Sequence, residues 1–476
     1  MDFAGAHRPH IAVLPTPGMG HLFPLAELAK LLVSRHHFTV TFITFAAADN
    51  RATKNFLSTL PAGITSVSLP PVPLDDVPED ATIETRMSIV TVRSLPALRS
   101  ILIDLRSSTN LVAFLADFFA ADGFEIAREL GIFYYMFVPT NLQFLTLMLE
   151  LPALDAAVKC PFPELENPVR LPGCPPIPGP DILTPLRDRS NDCYKWMLHH
   201  ARLYRQAQGI LVNSFSAIEP GAAKLLTAEE EGRPPVYPVG PLIQSRSAAT
   251  AVASAAPCLK WLDEQPRGSV LFVSFGSGGT LTRMQLGELA LGLESSKHRF
   301  LLVVRSPSDK DSSSTYFTAH SKEDPLSYLP GGFLRRTKDV GFVVPSWAPQ
   351  VEVLAHPATG GFLSHCGWNS TLESVKQGVP MIAWPLFAEQ TMNAVMLVEE
   401  AKIAIRPKAG EDGVFDREEI ARVVGELMEG EQGKAMRNRV KGLKEAAEAA
   451  LSEGGSSYTK LNEVAAEWRK DFGVSA

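Results

Sequence analysis

Cysteine is scarce in this chain: there are five in 476 residues, at Cys160, Cys174, Cys193, Cys258 and Cys366. An odd, scattered set excludes a disulfide framework and has no zinc-ligand spacing, which points to a reducing compartment and a cytoplasmic protein. Long apolar runs are lacking too. The longest, Ile132–Leu151, is interrupted by Pro139, Asn141, Gln143 and Glu150 and makes a poor membrane span. Near the start, Ile11–Leu14 is too short for a signal-peptide core and meets Pro15 at once. Basic charge is in deficit, with 45 Lys and Arg against 52 Asp and Glu and a net charge of −7. That balance argues against nucleic acid or an anionic membrane surface as a partner. No repeat of solenoid period occurs.

What remains is a globular composition, 45% hydrophobic and 20% charged, in a chain too long for one ordinary core. His10–Leu14 reads as a buried strand and Pro15–His21 as a turn. Leu22–Val33 has apolar residues at helical spacing, with Pro24 suited to its first turn, and Thr39–Phe45 reads as a second strand. Strand, helix, strand predicts a parallel α/β sheet. Leu111–Leu115, Phe133–Val138 and Gly209–Val212 continue it. Val236–Pro241 and the Ala/Ser-rich Ser245–Ala256 read as a linker. A second α/β unit follows, with strands Ser269–Ser274 and Arg299–Val304, a glycine turn Phe275–Gly279 and a helix Met284–Leu293. Ser306–Ser321 reads as a polar surface loop. Ser457–Phe472 reads as an amphipathic helix. The expected organisation is residues 1–243, a linker 244–256, a second domain 257–456, and a last helix 457–476.

Three places carry chemistry. Gly18-Met19-Gly20 resembles the opening of a dinucleotide fingerprint, but Phe23 replaces the third glycine and Thr44-Phe45 stand where an acidic residue would close the second strand. An NAD enzyme is therefore disfavoured. His21 follows this turn, at a strand's carboxyl end and a helix N-terminus, which disfavours imidazolium and suits a general base. A satisfied structural histidine fits the same spacing, and His10, His36 and His37 have no comparable setting. Asp117 ends an apolar strand, where a helix N-cap or a histidine partner both fit, and Asp122 lies close by. The third place is Trp347–Gln390. There a strand ends in His365-Cys366-Gly367, a helical pattern opens at Asn369-Ser370 with Glu373 one turn in, and a second strand, Pro380–Trp384, leads to Glu389-Gln390. Strand, glycine turn and helix N-terminus can hold phosphate. Ser370 and Glu373 also fit an ordinary capping box.

The stretch WAPQVEVLAHPATGGFLSHCGWNSTLESVKQGVPMIAWPLFAEQ resembles, nearly throughout, the signature box of plant secondary-product glycosyltransferases, the UDP-sugar-dependent members of glycosyltransferase family 1. The resemblance spans the chain and is strongest to the branch that glucosylates hydroquinone, monolignols and other small phenols. It implies the GT-B fold, two Rossmann-like α/β domains facing each other across a cleft, with the last helix, 457–476, crossing back to the first domain. It implies UDP-glucose as donor co-substrate, no cofactor and no metal. The expected partners are that sugar nucleotide and a small aromatic acceptor, and the chain is expected to be a monomer.

By the resemblance, His21 in its Pro-x-Pro-Gly-x-Gly-His turn deprotonates the acceptor, which attacks the anomeric carbon with inversion. Asp117 holds that histidine. Trp347 stacks on uracil, Ala348 and Gln350 read uracil and ribose, and Glu373 takes the ribose hydroxyls. Ser277, His365, Gly367, Asn369 and Ser370 hold the diphosphate, and Trp368, Glu389, Gln390 and Thr140 touch the sugar. Phe118, Phe119, Leu142 and Met148 are candidate acceptor-wall residues. Transfer to carbon, nitrogen or sulfur of an aromatic acceptor would use the same donor site. A non-catalytic UDP-sugar binder is expected to lack the base.

Overall fold

The computed structural model describes residues 8–46, 51–244, 256–309 and 324–470. The chain folds into two compact units. One comprises Met1–Pro180, Pro185–Ile243 and Ala449–Ala476, and the other Asp181–Thr184 and Gln244–Glu448.

The first unit is built on seven strands: β1 (Pro9–Leu14), β2 (Thr39–Phe45), β3 (Ile64–Leu69), β4 (Asn110–Asp117), β5 (Phe133–Val138), β6 (Gly209–Val212) and β7 (Val236–Pro238). Their order is β3-β2-β1-β4-β5-β6-β7, with every pairing parallel. β1, β2 and β4 are buried on both faces, which is why they read as continuous apolar runs rather than as alternation. Strand order reverses at β1 and β4, so the loops after these two strands open beside each other.

The helix after β1 runs Met19–His36, three residues earlier than its apolar pattern predicts. The glycine turn itself opens it, with Gly18 at φ 129°, and Pro24 consequently lies inside the helix. Val236–Pro238, read above as linker, is a strand. Its three residues carry no periodic signal and become a strand only by pairing with β6. Residues 245–255 of the expected linker, and 310–323 in and beyond the polar loop, lie outside the described residues.

The second unit carries β8 (Val270–Ser274), β9 (Arg299–Val304), β10 (Gly341–Pro345), β11 (Thr359–Ser364), β12 (Met381–Ala383) and β13 (Ala404–Ile405). The order is β10-β9-β8-β11-β12-β13, again all parallel. The reversal here is at β8 and β11. Asp181–Thr184, expected in the first domain, belongs to this unit instead. Arg406 grips the Asp181 carboxylate through both guanidinium ends at 2.6 and 2.7 Å, and Thr391 Oγ1 donates to the Asp181 carbonyl at 2.9 Å.

The chain re-enters the first unit at Ala449, in the last turn of the helix Glu431–Leu451, before the expected Ser457. The final helix, Ser456–Lys470, then packs Leu461, Val464, Ala465 and Trp468 into the first unit's core. Trp468 is fully buried and meets Tyr135 edge-on at 5.1 Å and Phe38 at 6.2 Å, while Tyr135 donates to Glu467 at 2.6 Å. Trp468→Ala is expected to destabilise this unit by about 3–5 kcal/mol, the usual cost of emptying a buried aromatic site. Urea unfolding read against wild type measures it, and a loss under about 1 kcal/mol would mean that the helix contributes little to the core.

Candidate functional site

In the first unit, the loop after β1 and the end of β4 meet. His21 is the third residue of the helix Met19–His36, and its Nδ1 lies 2.8 Å from Asp117 Oδ2, across 96 residues of sequence. Thr16 Oγ1 donates to the other carboxylate oxygen at 2.8 Å. Asp117 is wholly buried, whereas the His21 side chain keeps 15% exposure. A carboxylate acceptor at Nδ1 places a proton on that nitrogen and leaves Nε2 as the basic atom.

Asp117 stands just before the 3₁₀ turn Phe118–Gly123 but gives it no side-chain cap. Of the two roles its position allowed, the structure therefore favours the histidine partner. The rings of Phe118 and Phe119 lie 5.4 and 6.5 Å from the imidazole, and Phe144 packs on Phe118 at 5.1 Å. The imidazole thus stands beside an aromatic surface. Leu142 and Met148, expected in that wall, are fully buried. The helix that carries them, Leu142–Ala157, is apolar on nearly every side of its first turns, so its sequence does not mark which face meets a ligand.

Thr140 precedes that helix, buried, with no hydrogen-bond partner at Oγ1. Its neighbour Asn141 caps the helix at Phe144, and the buried Glu219 accepts from the Leu142 and Gln143 amides at 3.1 and 2.8 Å. Thr16, Phe144 and Glu219 escape sequence reasoning. Thr16 alone has a local signal, a hydroxyl in the turn at a strand's carboxyl end.

In the second unit the loops after β8 and β11 meet in the same manner. Gly276, at φ 73°, lies against the His365 ring, and a Cβ there would sit 2.6 Å from it. A Cβ at Gly367 would sit 2.4 Å from His365 Nε2. Only glycine allows both approaches. Burial pushes the His365 imidazole down to about 4, which keeps it neutral. Arg305, not anticipated from sequence, donates to the carbonyls of Gly276 and Ser277 and fixes the glycine turn. Ser277 itself is exposed.

The signature helix runs Trp368–Gln377, with Gly367 as N-cap and no side chain capping it. The capping-box alternative thus fails: the helix starts two residues before Ser370, inside the glycine turn. Ser370 and Glu373 are turned to Gln350 instead, whose Nε2 donates to Ser370 Oγ at 2.8 Å and to Glu373 Oε2 at 2.7 Å. Burial, opposed in part by the Gln350 bond, pushes the Glu373 carboxyl up to about 7.

Trp347 is 70% exposed, an apolar plate open to solvent, while Ala348 beside it is buried. Trp368 is buried, and Asn369 occupies the helix's first turn. Glu389 immediately precedes the helix Gln390–Glu399, and Asn393 donates from Nδ2 to both Glu389 Oε1 and the Cys366 carbonyl. Gln390 Oε1 accepts from the Leu386 and Phe387 amides at 2.9 and 3.1 Å.

The arrangement in this unit, a helix start without a side-chain cap beside a neutral histidine, with a partly buried carboxyl one turn on and an exposed indole three residues before Gln350, can hold a nucleoside diphosphate. No described helix is long and apolar enough to cross a membrane.

Residues 329–414 match the family model described as "UDP-glucoronosyl and UDP-glucosyl transferase". The chain is 54% identical to a hydroquinone glucosyltransferase of Rauvolfia serpentina over 463 residues, covering 97% of this chain and 98% of that one. It is 53% identical to UDP-glycosyltransferase 72B1 of Arabidopsis thaliana, covering 97% and 96%. Among solved structures, a Polygonum tinctorium UDP-glucosyltransferase capable of glucosylating indoxyl, in complex with 3,4-dichloroaniline, superposes with a TM-score of 0.92 at 50% identity, covering 98% of this chain and all of that one. Phytolacca americana UGT2, with UDP-2-fluoro-glucose and pterostilbene, gives 0.89 at 44% identity, covering 98% and 100%.

Proposed function

The chain belongs to the UDP-glucoronosyl and UDP-glucosyl transferase family, with the GT-B fold class, and we propose that it moves glucose from UDP-glucose to the hydroxyl of a small phenol with inversion at the anomeric carbon. The observation that carries this reading is the His21–Asp117 pair set against an aromatic wall. A flat phenol packs on Phe118 and Phe119, and His21 Nε2 takes its proton. The proton on Nδ1 stays with Asp117, which steadies the imidazolium formed. The phenolate attacks the anomeric carbon as the bond to UDP breaks, and the diphosphate leaves as an anion.

On the donor side, the uncapped end of Trp368–Gln377, with Ser277, His365, Asn369 and Ser370, stabilises that anion in place of a metal. Trp347 stacks on uracil, with Ala348 and Gln350 beside it. Glu373 accepts from the ribose hydroxyls. Gln390, its oxygen already occupied, meets the sugar with its Nε2, alongside Glu389 and Trp368. The retained base speaks against a sugar-nucleotide binder without activity. The relatives' names support a phenolic acceptor, and the scattered free cysteines support a cytoplasmic enzyme.

The test is incubation with UDP-glucose and a panel of phenols, with and without added Mg²⁺, products being identified by mass spectrometry and NMR. An acid-labile β-glucoside formed equally without Mg²⁺ is expected. An acid-resistant product would shift the reading to carbon, and no product from any acceptor would sink it.

Glu373 adds a pH dependence. The free site holds its proton up to about pH 7, whereas acceptance from two ribose hydroxyls requires the carboxylate. Binding therefore releases a proton below that pH. The affinity for UDP-glucose, whose diphosphate diester stays charged throughout, should fall by up to about tenfold per pH unit as the pH drops below 7. Glu373→Gln should weaken binding about 10–100-fold at pH 8, the worth of a charge-assisted hydrogen bond, and flatten the profile. Calorimetry at several pH values checks both; a flat wild-type profile would contradict the assignment.

A further inference from the structure

Beside the aromatic wall, two elements of the first unit bring Asp122, His199 and His200 together, with their candidate ligand atoms all within 4.8 Å of one another. Asp122 is in the 3₁₀ turn Phe118–Gly123 that carries Phe118 and Phe119, and both histidines are on the helix Asp192–Tyr204. Asp122 Oδ1 lies 2.8 Å from His199 Nε2. Its Oδ2 faces His200 Nδ1 at 3.9 Å, too far for a hydrogen bond, and neither atom has a hydrogen-bond partner although both are buried. The His200 side chain is wholly buried.

The tautomer of His200 follows from its other nitrogen. Ser88 Oγ, on the helix Ile83–Ser108, has one proton and donates it to the Glu84 carbonyl at 2.8 Å. Ser88 Oγ also lies 2.8 Å from His200 Nε2, where it accepts while its proton goes to the Glu84 carbonyl. In that tautomer Nε2 carries the ring proton, and the Nδ1 lone pair faces the Asp122 carboxylate oxygen, both atoms buried and without a hydrogen-bond partner. A bound cation would satisfy both atoms.

Two bonds of about 2.0–2.2 Å, the usual length for zinc to imidazole nitrogen and carboxylate oxygen, span a 3.9 Å gap with the ion slightly off the line. The oxygen acceptor on the far nitrogen of His200 is what metal-bound imidazoles regularly have. His199 completes the set by moving its proton to Nδ1. Two imidazoles and a carboxylate suit zinc better than magnesium or calcium.

We infer that Asp122, His199 and His200 form a zinc site that ties the 3₁₀ turn carrying Phe118 and Phe119 to the helix Asp192–Tyr204. The ion touches neither substrate nor His21 and takes no part in transfer. It fixes the wall against which the acceptor lies. The cysteine and motif spacing of the sequence does not disclose the site, because its ligands come from residues 77 apart in the chain.

Trp196 supplies a reporter, stacked on His200 at 6.0 Å and edge-on to His199 at 5.5 Å. The full chain, stripped with a chelator and desalted, is titrated with Zn²⁺ by calorimetry and with Co²⁺ by visible absorption and tryptophan fluorescence. One ion per chain is expected, with a raised Tm and, for Co²⁺, quenching that Trp196→Phe largely removes. His199→Gln and Asp122→Asn should each weaken binding by ~10–100-fold or more. His199 is partly exposed, so its replacement should leave the fold intact by circular dichroism. Asp122→Asn provides a second variant should the first misfold. Absence of saturable one-to-one binding would overturn the proposal, and so would binding that both variants retain.

Discussion

His21→Ala is expected to lower kcat for glucosyl transfer to a phenol by about 10²–10⁴-fold, the usual worth of a positioned general base. UDP affinity should be unchanged, since His21 belongs to the first unit and the residues proposed to hold the nucleotide belong to the second. The loss should be smaller for acidic phenols than for weakly acidic ones, because an acceptor already ionised near pH 8 has less need of a base. Initial rates across a series of substituted phenols, with UDP binding measured in parallel, check this. A loss that is the same for every acceptor would mean that His21 positions the phenol rather than deprotonating it. A loss of UDP binding would mean that the variant is damaged more widely.

Asp117→Asn is expected to cost about 10³–10⁴-fold, by analogy with other carboxylate–histidine pairs. The change is nearly isosteric, and Thr16 Oγ1 can still donate to the remaining oxygen. The amide nitrogen would then face His21 Nδ1, and because it donates, it would hold the ring in the tautomer with its proton on Nε2. That nitrogen could no longer accept from a phenol. The double variant His21→Ala/Asp117→Asn should be no slower than the slower single one, because the two groups act as a unit. Full additivity of the two losses would show that Asp117 acts independently of the histidine. Thr16→Val should have a milder effect, removing one hydrogen bond to a carboxylate that keeps its other partner.

Much of this was legible in the residues. β1, β2, β5, β6 and β9 have the bounds of their apolar runs to within a residue, because strands buried on both faces need no partner to be recognised. The segments that escaped were those stabilised from outside. β7 exists only as a partner to β6, and the signature helix begins two residues before Ser370 because a glycine turn, not a side chain, opens it. The aromatic surface proposed as the acceptor wall was half visible. Phe118 and Phe119 follow directly on Asp117, but the uniformly apolar helix Leu142–Ala157 gives no sign that Phe144 meets them and that Leu142 and Met148 are core.

By itself the sequence determined the two α/β halves, the glycine turns that end β1 and β8, and the histidines, carboxylates and tryptophan of the motifs around them. These are matters of local chemistry: turn geometry, helix periodicity and side-chain type are encoded within a few neighbouring residues. The tertiary structure alone decided which of those groups meet. Strand order puts β1 beside β4 and β8 beside β11, so His21 finds Asp117 across 96 residues and Gly276 lies against the His365 ring. It likewise decided that Asp122 meets His199 and His200, since contact over such separations depends on how sheets and helices pack, not on any spacing along the chain.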